Sequence, residues 1–465
     1  MNKNLWAAIA LMMALVMAGC SKEDDASADV QQPDVYPEQP KGPDDYPSDP
    51  QAPKPEDLQL TRSELEMVDQ SNDFAFNLFR EVTAEYGFFS PLGCLVPADY
   101  DEKVAKGDNI LSPISITYAL GMLNNGATGE TQQQINKVLG FADTGAEGIN
   151  AFCKKMLLRA LYNDPDTKLH FANNIYFNSS LNLTLNPTFI QQAKEYYDAE
   201  PEMRDFFDGQ TMGVINQWCS DHTEKMIEKV LDEGSFNPSA VSYLLNAIYF
   251  KGNWRLKFDE ANTTEETFGL TEDAVGQYTE LLKKVPMMHQ ESPLSYTEND
   301  LCQAVKLAYG NSSYAMTVLL PREGKSVSDV LQTLTADSWA MQYRWMGDAI
   351  VDLKLPRFEI DTNLELNGIM SRLGMPKAFT EKAEFPNFCN TDTYIGLMKQ
   401  VAKIKVNETG TEAAAVTIIG VDGTSAGLEP EPRHVNFHAT RPFLYVISDE
   451  ATGAILFIGQ YMGIQ

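Results

Sequence analysis

A stretch near the C-terminal end of the chain combines small side chains with a loop that a protease can cut. Read with the two-residue period of a β-strand, Thr411, Ala413, Ala415 and Thr417 fall on one face. Small residues suit a strand that enters a packed sheet, because larger ones would overpack the core at a cost of about 1–3 kcal/mol. Residues 420–427 are glycine-rich and unpatterned, which is typical of an exposed loop tip. The chemistry indicated here is cleavage of this chain by another protein.

Residue types suited to catalysis or metal binding occur without the spacing that such chemistry requires. The five histidines form no His-Glu-x-x-His or other metal-ligand pattern. The sequence contains neither a Gly-x-Ser-x-Gly nucleophile elbow nor a glycine-rich phosphate loop. His434 and His438 are interpreted as a solvated or packed pair. Paired carboxylates of the glycosidase type come together only on folding, so the sequence does not reveal them. The sequence therefore predicts neither metal nor cofactor and weakens an enzyme hypothesis.

The cysteines indicate neither a zinc site nor a disulfide framework. Apart from Cys20 there are five, widely spaced and without a Cys-x-x-Cys pair. They are Cys94, Cys153, Cys219, Cys302 and Cys389. We interpret them as buried free thiols that pack as small apolar residues.

The composition is that of a globular protein with a strongly acidic balance. The chain has 465 residues, enough for two or three domains or for one large domain. Its formal net charge of -29 opposes binding to nucleic acid or to an anionic membrane surface. Much of the negative charge lies in residues 22–57, which we interpret as a solvated tail.

The first residues carry the features of an export signal. A short basic n-region is followed by an apolar h-region at residues 5–17. The segment ends in Val-Met-Ala-Gly-Cys, which resembles the lipobox of bacterial lipoproteins and implies cleavage before Cys20 and its acylation, for example with palmitate. The acidic residues 21–25 are similar to a surface-export signal of Gram-negative bacteria. We therefore expect an outer-membrane lipoprotein on the extracellular face; the alternative is an ordinary signal peptide with a chance cysteine.

The composition of the next segment predicts an unfolded tether. Residues 24–57 are rich in Pro, Asp, Glu and Gln, a composition that buries too little apolar surface to fold. About 30 residues at about 3.1 Å each would hold a folded domain up to roughly 90 Å from the membrane. The predicted division is a signal peptide at 1–19, a lipidated tether at 20–60 and one folded domain at 61–465. No other stretch is long and apolar enough to span a membrane.

Helices early in the chain and strands late in it are predicted to position the small-faced strand. An amphipathic helix is expected over residues 63–86 with a cap near 71–73, and others begin at Ser112-Pro113 and at 128. A further helix is expected over 212–231. Uncharged segments rich in β-branched and aromatic residues predict buried strands. These are 169–177, 241–250, 302–309, 314–320, 350–358, 401–406, 443–447 and 455–458, the last two joined by a turn at 450–453.

Five separated motifs over about residues 65–465 resemble those of the serpins. They are Asn-Ile-Leu-Ser-Pro-Ile-Ser at 109–115, Leu-Leu-Asn-Ala-Ile-Tyr-Phe-Lys-Gly-Asn-Trp at 244–254, Leu-Pro-Arg-Phe at 355–358, Asn-Glu-Thr-Gly-Thr-Glu-Ala-Ala-Ala at 407–415 and Phe-His-Ala-Thr-Arg-Pro-Phe at 437–443. Residues 89–106 exceed the family's usual short connection after the first helix.

The resemblance implies an α+β fold, a single large domain of about three β-sheets and eight to nine helices with an exposed reactive loop at about 408–434. It also implies inhibition by trapping. A serine protease, or a papain-like cysteine protease, attacks the loop and forms an acyl-enzyme, and the cut loop then inserts as a new central strand of the large sheet. The implied partner is the protease in a covalent 1:1 complex with a monomeric inhibitor. The implied loop hinge comprises Glu408, Gly410, Thr411, Ala413, Ala415 and Thr417.

A second set of residues matches the region in which the serpin sheet opens. These residues are Ser112, Ser115, Asn246, Trp254 and Gln400. The family usually has histidine where Gln400 stands. Because glutamine both donates and accepts, we expect a hydrogen bond to Asn246 or Ser115 to be kept without the pH sensitivity of histidine.

Two counts place the cut at different bonds. Counting forward from the hinge Gly410 by the family's usual spacing gives Thr424–Ser425. Counting back from the Arg-Pro-Phe motif gives Leu428–Glu429. We prefer the first, because the length of the inserted strand positions the captured protease, and about 14 residues at roughly 3.3 Å span about 46 Å of sheet.

The loop sequence predicts the class of target. Thr424 beside small residues favours elastase-like or subtilisin-like proteases, whereas Leu428 would favour a chymotrypsin-like one. Trypsin-like targets are disfavoured, because no Lys or Arg lies between Lys405 and Arg433. Two other hypotheses remain open: a non-inhibitory serpin that acts as a binding protein, against which the small-residue hinge argues, and a surface lipoprotein hydrolase, which no nucleophile motif supports.

Overall fold

The structure, a computed structural model, describes residues 58–86, 107–164, 167–269, 283–411 and 433–463. In these residues nine α-helices and fifteen strands form an α+β fold. The helices are α1 Arg62–Tyr86, α2 Pro113–Gly126, α3 Gly129–Leu139, α4 Ala146–Tyr162, α5 Pro187–Tyr197, α6 Thr211–His222, α7 Val327–Leu331, α8 Ala336–Ser338 and α9 Asn367–Leu373. The strands are β1 Asn109–Leu111, β2 Lys168–Asn178, β3 Glu202–Arg204, β4 Ser242–Asn253, β5 Thr264–Phe268, β6 Lys283–Glu298, β7 Cys302–Ala308, β8 Tyr314–Pro321, β9 Gly347–Pro356, β10 Phe358–Glu365, β11 Leu397–Asn407, β12 Gly410–Thr411, β13 His434–His438, β14 Phe443–Asp449 and β15 Ile455–Tyr461.

The start of α2 confirms the prediction from Ser112-Pro113. Ser112 is the N-cap, its Oγ accepts a hydrogen bond from the backbone N of Ser115, and proline occupies the first turn. Every residue of α2 is buried, so this helix lies in the core. The cap predicted near 71–73 is wrong, because α1 runs through it. Asn72 instead uses its side chain at long range, donating to Gly453 O at 3.0 Å and accepting from Ile455 N at 3.0 Å.

Helix α6 is shorter than predicted, ending at His222 instead of near 231. Glu224 and Lys225 both have positive φ values, 48° and 65°, which a helix cannot contain. The following residues fold back along α6, where the Asn216 side chain accepts hydrogen bonds from the backbone N of Val230 and Leu231. The apolar periodicity that suggested a longer helix therefore belongs to packing between α6 and this returning segment.

Three β-sheets form the framework. The large sheet has the order β10-β11-β12-β4-β2-β3. The other two are joined through the long strand β6, whose residues 287–296 pair with β9 and whose residues 295–298 pair with β7. One of these sheets is β5-β6-β9-β13 and the other is β6-β7-β8-β14-β15-β1. The single-domain α+β fold with three sheets thus agrees with the expectation.

The large sheet is covered on both faces, which explains the near-continuous apolar sequence of its central strands. On one face Leu244 and Ile404 join the main core, which also contains α2. On the other face Tyr243 and Val401 pack beneath Ile215 of α6. A strand inserted between β4 and β11 would therefore meet packed side chains on both sides.

Several sequence-based expectations fall outside the described residues, among them the signal peptide, the tether up to residue 57, the longer connection at 89–106 and Cys94. The four other cysteines, Cys153, Cys219, Cys302 and Cys389, are buried and unpaired, as predicted. Among the residues described, no helix is both long and apolar enough to cross a membrane.

Candidate functional site: the hinge and the central strands of the large sheet

The chain reverses direction at the end of β11 and re-enters the large sheet. The Asn407 Oδ1 accepts hydrogen bonds from the backbone N of Thr409 at 3.0 Å and of Gly410 at 3.2 Å, which fixes the turn. Strand β12 then lies between β11 and β4, with Thr411 opposite Val406 on one side and Gly252 on the other. The first two residues of an additional strand are thus already in the sheet.

Gly410 is the position in this turn that requires glycine. A Cβ added to Gly410 would collide with the carbonyl oxygen of Gly252 and with the backbone of Asn253. The strand can approach β4 this closely only because no side chain is present.

Glu408 is buried at the hinge, where it is 3% exposed, and its negative charge is balanced there by a cation. Its Oε1 accepts a hydrogen bond from Thr263 Oγ1 at 2.6 Å and pairs with the Arg357 guanidinium. Burial alone would raise the pKa of Glu408, but the hydrogen bonds from Arg357 and Thr263 hold it below its usual value. Glu408 therefore ties the turn to the segments after β4 and β9 as a charged group.

Two aromatic rings, Trp254 and Tyr309, stand beneath the hinge, and we call this pair the gate. The rings stack with centroids 4.5 Å apart and planes 17° from parallel. Trp254 donates from Nε1 to Asn407 O at 2.8 Å and from its backbone N to Thr409 O at 2.9 Å. The Tyr309 hydroxyl lies 2.7 Å from Thr411 Oγ1. The gate thus contacts both ends of the turn.

Gln400 and Asn246 join β11 to β4 farther along the sheet. Gln400 Nε2 donates to Asn246 Oδ1 at 2.5 Å and to Ser112 O at 3.0 Å, and Gln400 Oε1 accepts from Ser112 N at 3.0 Å. The hydrogen bond expected for Gln400 is therefore present, to Asn246 and not to Ser115.

Asn246 extends this network toward α2 and β2. Its Nδ2 donates to Ser115 Oγ at 2.5 Å and to Ser115 O at 2.9 Å, and it also contacts Asn173 Oδ1. We call Ser112, Ser115, Asn173, Asn246 and Gln400 the polar lock. All five are at most 2% exposed, so their hydrogen bonds have no competition from water.

The large sheet is closed at the polar lock and separated at the hinge. Residues 397–402 of β11 pair directly, in parallel, with residues 243–248 of β4. At the other end β12 lies between the same two strands. Residues 403–405 and 249–251 have no direct pairing with one another, so the two strands diverge from the lock toward the hinge. This geometry can accept more of the chain as a strand.

The structure brings the predicted site residues together in two groups. Glu408, Gly410 and Thr411 meet Trp254 at the hinge, while Ser112, Ser115, Asn246 and Gln400 form the lock. Ala413, Ala415 and Thr417, both candidate scissile bonds (Thr424–Ser425 and Leu428–Glu429) and the lipid-anchor residue Cys20 lie outside the described residues. Tyr309 and Asn173 were not predicted; neither belongs to a motif, and both are recognisable only by contact.

The histidines near the C-terminal side of the loop link neighbouring strands through carboxylates. Asp352 lies between His289 Nε2 at 2.6 Å and His438 Nε2 at 2.9 Å, joining β6, β9 and β13. Burial would raise the pKa of Asp352, but the two histidine hydrogen bonds lower it overall. His434 lies 3.6 Å from Glu291. Among the described residues, no group of three or more His, Cys, Asp or Glu side chains could hold a metal ion.

Comparison with known proteins decides the family. A family model described as Serpin (serine protease inhibitor) matches residues 98–464. The chain belongs to the serpins. This serpin is 30% identical to Serpin B6 of Pongo abelii over 358 residues, which cover 75% of this chain and 92% of that one. It is 31% identical to Antithrombin-III of Mus musculus over 371 residues, 77% of each chain.

A solved structure supports the same assignment. The native state of the thermophilic serpin tengpin has a TM-score of 0.71 and 28% sequence identity, covering 87% of this chain and 95% of that one. The family is one of protease inhibitors and not of enzymes.

Proposed function

We propose that this serpin inhibits serine proteases as a suicide substrate, by inserting its cut reactive loop between β11 and β4. The observation that carries the proposal is β12, because a strand that has begun to form between its two future neighbours has its register set. The acyl-enzyme would be drawn along the sheet as the remaining loop residues pair.

The register of β12 assigns partners to later loop residues. Each step along the loop raises its residue number by one and lowers both partner numbers by one, because the pairing is antiparallel on both sides. Starting from Thr411 opposite Val406 and Gly252, residue Ala413 would lie between Ile404 and Phe250. Ile404 and Phe250 both face the main core.

The same count brings Thr417 between Gln400 and Asn246, the two residues whose hydrogen bond closes the polar lock. A threonine hydroxyl both donates and accepts, so it can bond to the two amides that insertion separates. Ala415 would lie between Ala402 and Ile248, again on the core face. The small side chains of the hinge thus match positions that face the packed core.

The length of the strands supports Thr424–Ser425 as the scissile bond. Gly410 is opposite Asn253, and β4 begins 11 residues earlier at Ser242, so the inserted strand would run out at residue 421. Thr424 is three residues beyond this point and Leu428 is seven. At about 3.3 Å per residue, a protease on Thr424 would hang about 10 Å past the sheet and one on Leu428 about 23 Å. The shorter connection holds the enzyme against the protein.

The test is whether the chain without its signal peptide traps a protease covalently. We expect incubation with an elastase-like protease or with subtilisin to give a complex that survives boiling in SDS. The C-terminal peptide cut from the loop on trapping, identified by mass spectrometry, should begin at Ser425. Papain and chymotrypsin serve as comparison proteases, the second testing Leu428–Glu429. If every protease tested cleaves the serpin and none forms a covalent complex with it, the inhibitory proposal is overturned and a non-inhibitory serpin is favoured.

We also propose that the mature chain begins at Cys20 and is held on the outer face of a bacterial outer membrane by acyl chains. The lipobox-like sequence and the acidic residues after it support this. Two or more chains are needed for stable anchoring. In a Gram-negative host, labelled palmitate should enter the wild-type protein and not the Cys20→Ser variant. Added protease should digest the wild-type protein on intact cells; protection from it would place the protein on an inner face.

A further inference from the structure

A cleft of about 290 Å³ opens beside the gate, between the segment that follows β4 and the surface of β6, β7 and β8. The polar lock and the space between β4 and β11 do not contribute to it. Half of the residues that line it are apolar. These are Leu256, Pro293, Leu294, Leu307, Ala308 and Ala315. The volume is near the lower end of the range of small-molecule sites.

Gln290 lines the cleft and carries an unpaired donor that is buried behind the cleft surface. Its Oε1 accepts a hydrogen bond from Ser292 at 3.1 Å, but its Nε2 is buried and has no partner among the described residues. A buried amide without an acceptor has lost its hydrogen bond to water and gained no other, which is unfavourable. A rotation of the Gln290 side chain that brings this amide to the surface of the cleft would let an acceptor atom of an occupant restore the lost hydrogen bond.

Lys306 brings a buried positive charge to the same wall. Its side chain is only 9% exposed, and its Nζ donates to Glu450 Oε2 at 2.8 Å and to Arg344 O at 2.9 Å. An ammonium group has three hydrogens, so two acceptors leave one of them available.

Arg255 lies on the exposed side of the cleft. One of its terminal nitrogens donates to Ser312 Oγ at 2.7 Å. With Lys306 and Arg255 positive and Glu450 negative, the lining carries a formal charge of +1 in a chain whose formal charge is -29. A local positive site on an acidic protein favours an anion, and a single negative charge suffices to neutralise it.

We propose that this cleft binds a small monocarboxylate with an apolar body. Its carboxylate oxygens would accept from the Gln290 amide, the Lys306 ammonium and the Arg255 guanidinium, which are charge-assisted contacts in a partly buried site. Its hydrocarbon part would cover Leu256, Leu294 and the other apolar residues. Inorganic phosphate would leave the apolar wall uncovered, and a neutral hydrocarbon would leave the Gln290 amide unpaired.

The cleft adjoins the gate through the backbone. Arg255 directly follows Trp254, Ala308 directly precedes Tyr309, and the Arg255 backbone N donates to Ala308 O at 2.8 Å. An occupant would therefore lie one residue from both stacked rings. The fluorescence of Trp254 should change on binding, which gives a signal that does not depend on protease inhibition.

The test uses 3-phenylpropionate as the probe and its uncharged amide, 3-phenylpropanamide, as the matched ligand. We expect calorimetry and tryptophan fluorescence to show saturable 1:1 binding of the acid, weaker by about tenfold or more for the amide. Gln290→Leu should weaken binding of the acid several-fold without loss of thermal stability, because it removes an unpaired donor. Lys377→Met, which changes a lysine outside the cleft, is the control.

Two results would overturn the proposal. One is equal affinity for the acid and the amide, which would mean that the cleft does not select a carboxylate. The other is an unchanged affinity in both Gln290→Leu and Lys306→Met, which would place any binding elsewhere. Since no protease is present, the outcome is independent of whether the serpin traps its target.

Discussion

Gln400 Nε2 lies 2.5 Å from Asn246 Oδ1, and through this hydrogen bond β11 and β4 are joined in the middle of the large sheet. The same Nε2 donates to Ser112 O, so the two strands are also tied to the start of α2. Any strand that enters between them must first separate these atoms. One amide side chain therefore joins the two central strands to each other and to α2.

Removing the Gln400 amide should destabilise the uncut protein. Gln400→Leu keeps much of the volume but leaves Asn246 Oδ1 and the Ser112 backbone N buried without partners. We expect the free energy of unfolding to fall by about 1–3 kcal/mol, measured by urea denaturation with the loop intact. Gln400→Glu, which keeps the acceptor only, serves as the comparison. Stability equal to wild type in Gln400→Leu would show that the lock contributes little.

Histidine at position 400 should make the stability of the uncut protein depend on pH. Glutamine has no charge to gain, whereas a histidine, whose pKa in the unfolded chain is about 6.5, can be protonated. Burial opposes that charge, so Gln400→His should lose stability as the pH falls below about 6.5, relative to wild type. Thermal melting from pH 5 to pH 8 measures this. Parallel curves for the two proteins would contradict the prediction.

A large charged residue on the inserting face should convert the inhibitor to a substrate. Thr411 is 1% exposed and touches Tyr309 in the gate. Thr411→Arg would put a guanidinium into that contact, so we expect cleavage of the loop with little or no SDS-stable complex. Thr411→Val keeps the shape and loses only the hydroxyl contact, and it should still trap most of the protease. Equal trapping by the arginine and valine variants would argue against insertion on this face.

The buried ion pair between Arg159 and Asp449 should be one of the most sensitive sites in the fold. The two side chains are 8% and 3% exposed, their charged atoms are 2.7 Å apart, and Arg159 also donates to Leu58 O at 2.8 Å. Arg159→Ala leaves the buried Asp449 carboxylate without its cation, with only the backbone N of Ala451 and of Thr452 still donating to it, so we expect a loss of about 3–5 kcal/mol in urea denaturation. Lys168→Ala breaks a pair with side chains 51% and 43% exposed and should cost at most about 1 kcal/mol. Similar losses in both variants would refute this ranking.

Acid should loosen the hinge through Glu408. The folded-state pKa of this carboxyl is below that of the unfolded chain, so its contribution to stability is present above the unfolded value of about 4.3 and is lost as the pH falls through the folded one. Glu408→Gln removes the titrating group. We expect the melting temperature of this variant to fall less than that of wild type between pH 7 and pH 3. A variant whose melting temperature falls as steeply as that of wild type would locate the acid sensitivity elsewhere.

Local sequence signals predicted part of this site well. Ser112-Pro113 gave the start of α2, because the cap and the first turn are decided by neighbouring residues. The uncharged strands β2 and β4 were also recognised, since burial on both faces leaves a continuous apolar run. The spacing of small residues and the family resemblance together located the hinge.

The contacts that were missed arise only from tertiary packing. Tyr309 forms half of the gate, but it comes 55 positions after Trp254 in the sequence and belongs to no motif. Strand β12 has two residues, which is too short for any periodicity to be visible. Asn72 resembled a helix cap because its type favours one; in the fold it bonds to Gly453 and Ile455 instead.

Because β12 has a fixed register, the length of the loop can be counted from Gly410. Under the proposed mechanism, the number of residues from Gly410 to the scissile bond decides where a captured enzyme stops relative to the end of the sheet. The side chains at the loop tip decide which enzyme attacks. Substitutions at the loop tip can therefore change which protease attacks without changing where the captured enzyme stops. Insertions or deletions in the loop change that stopping position for every protease alike.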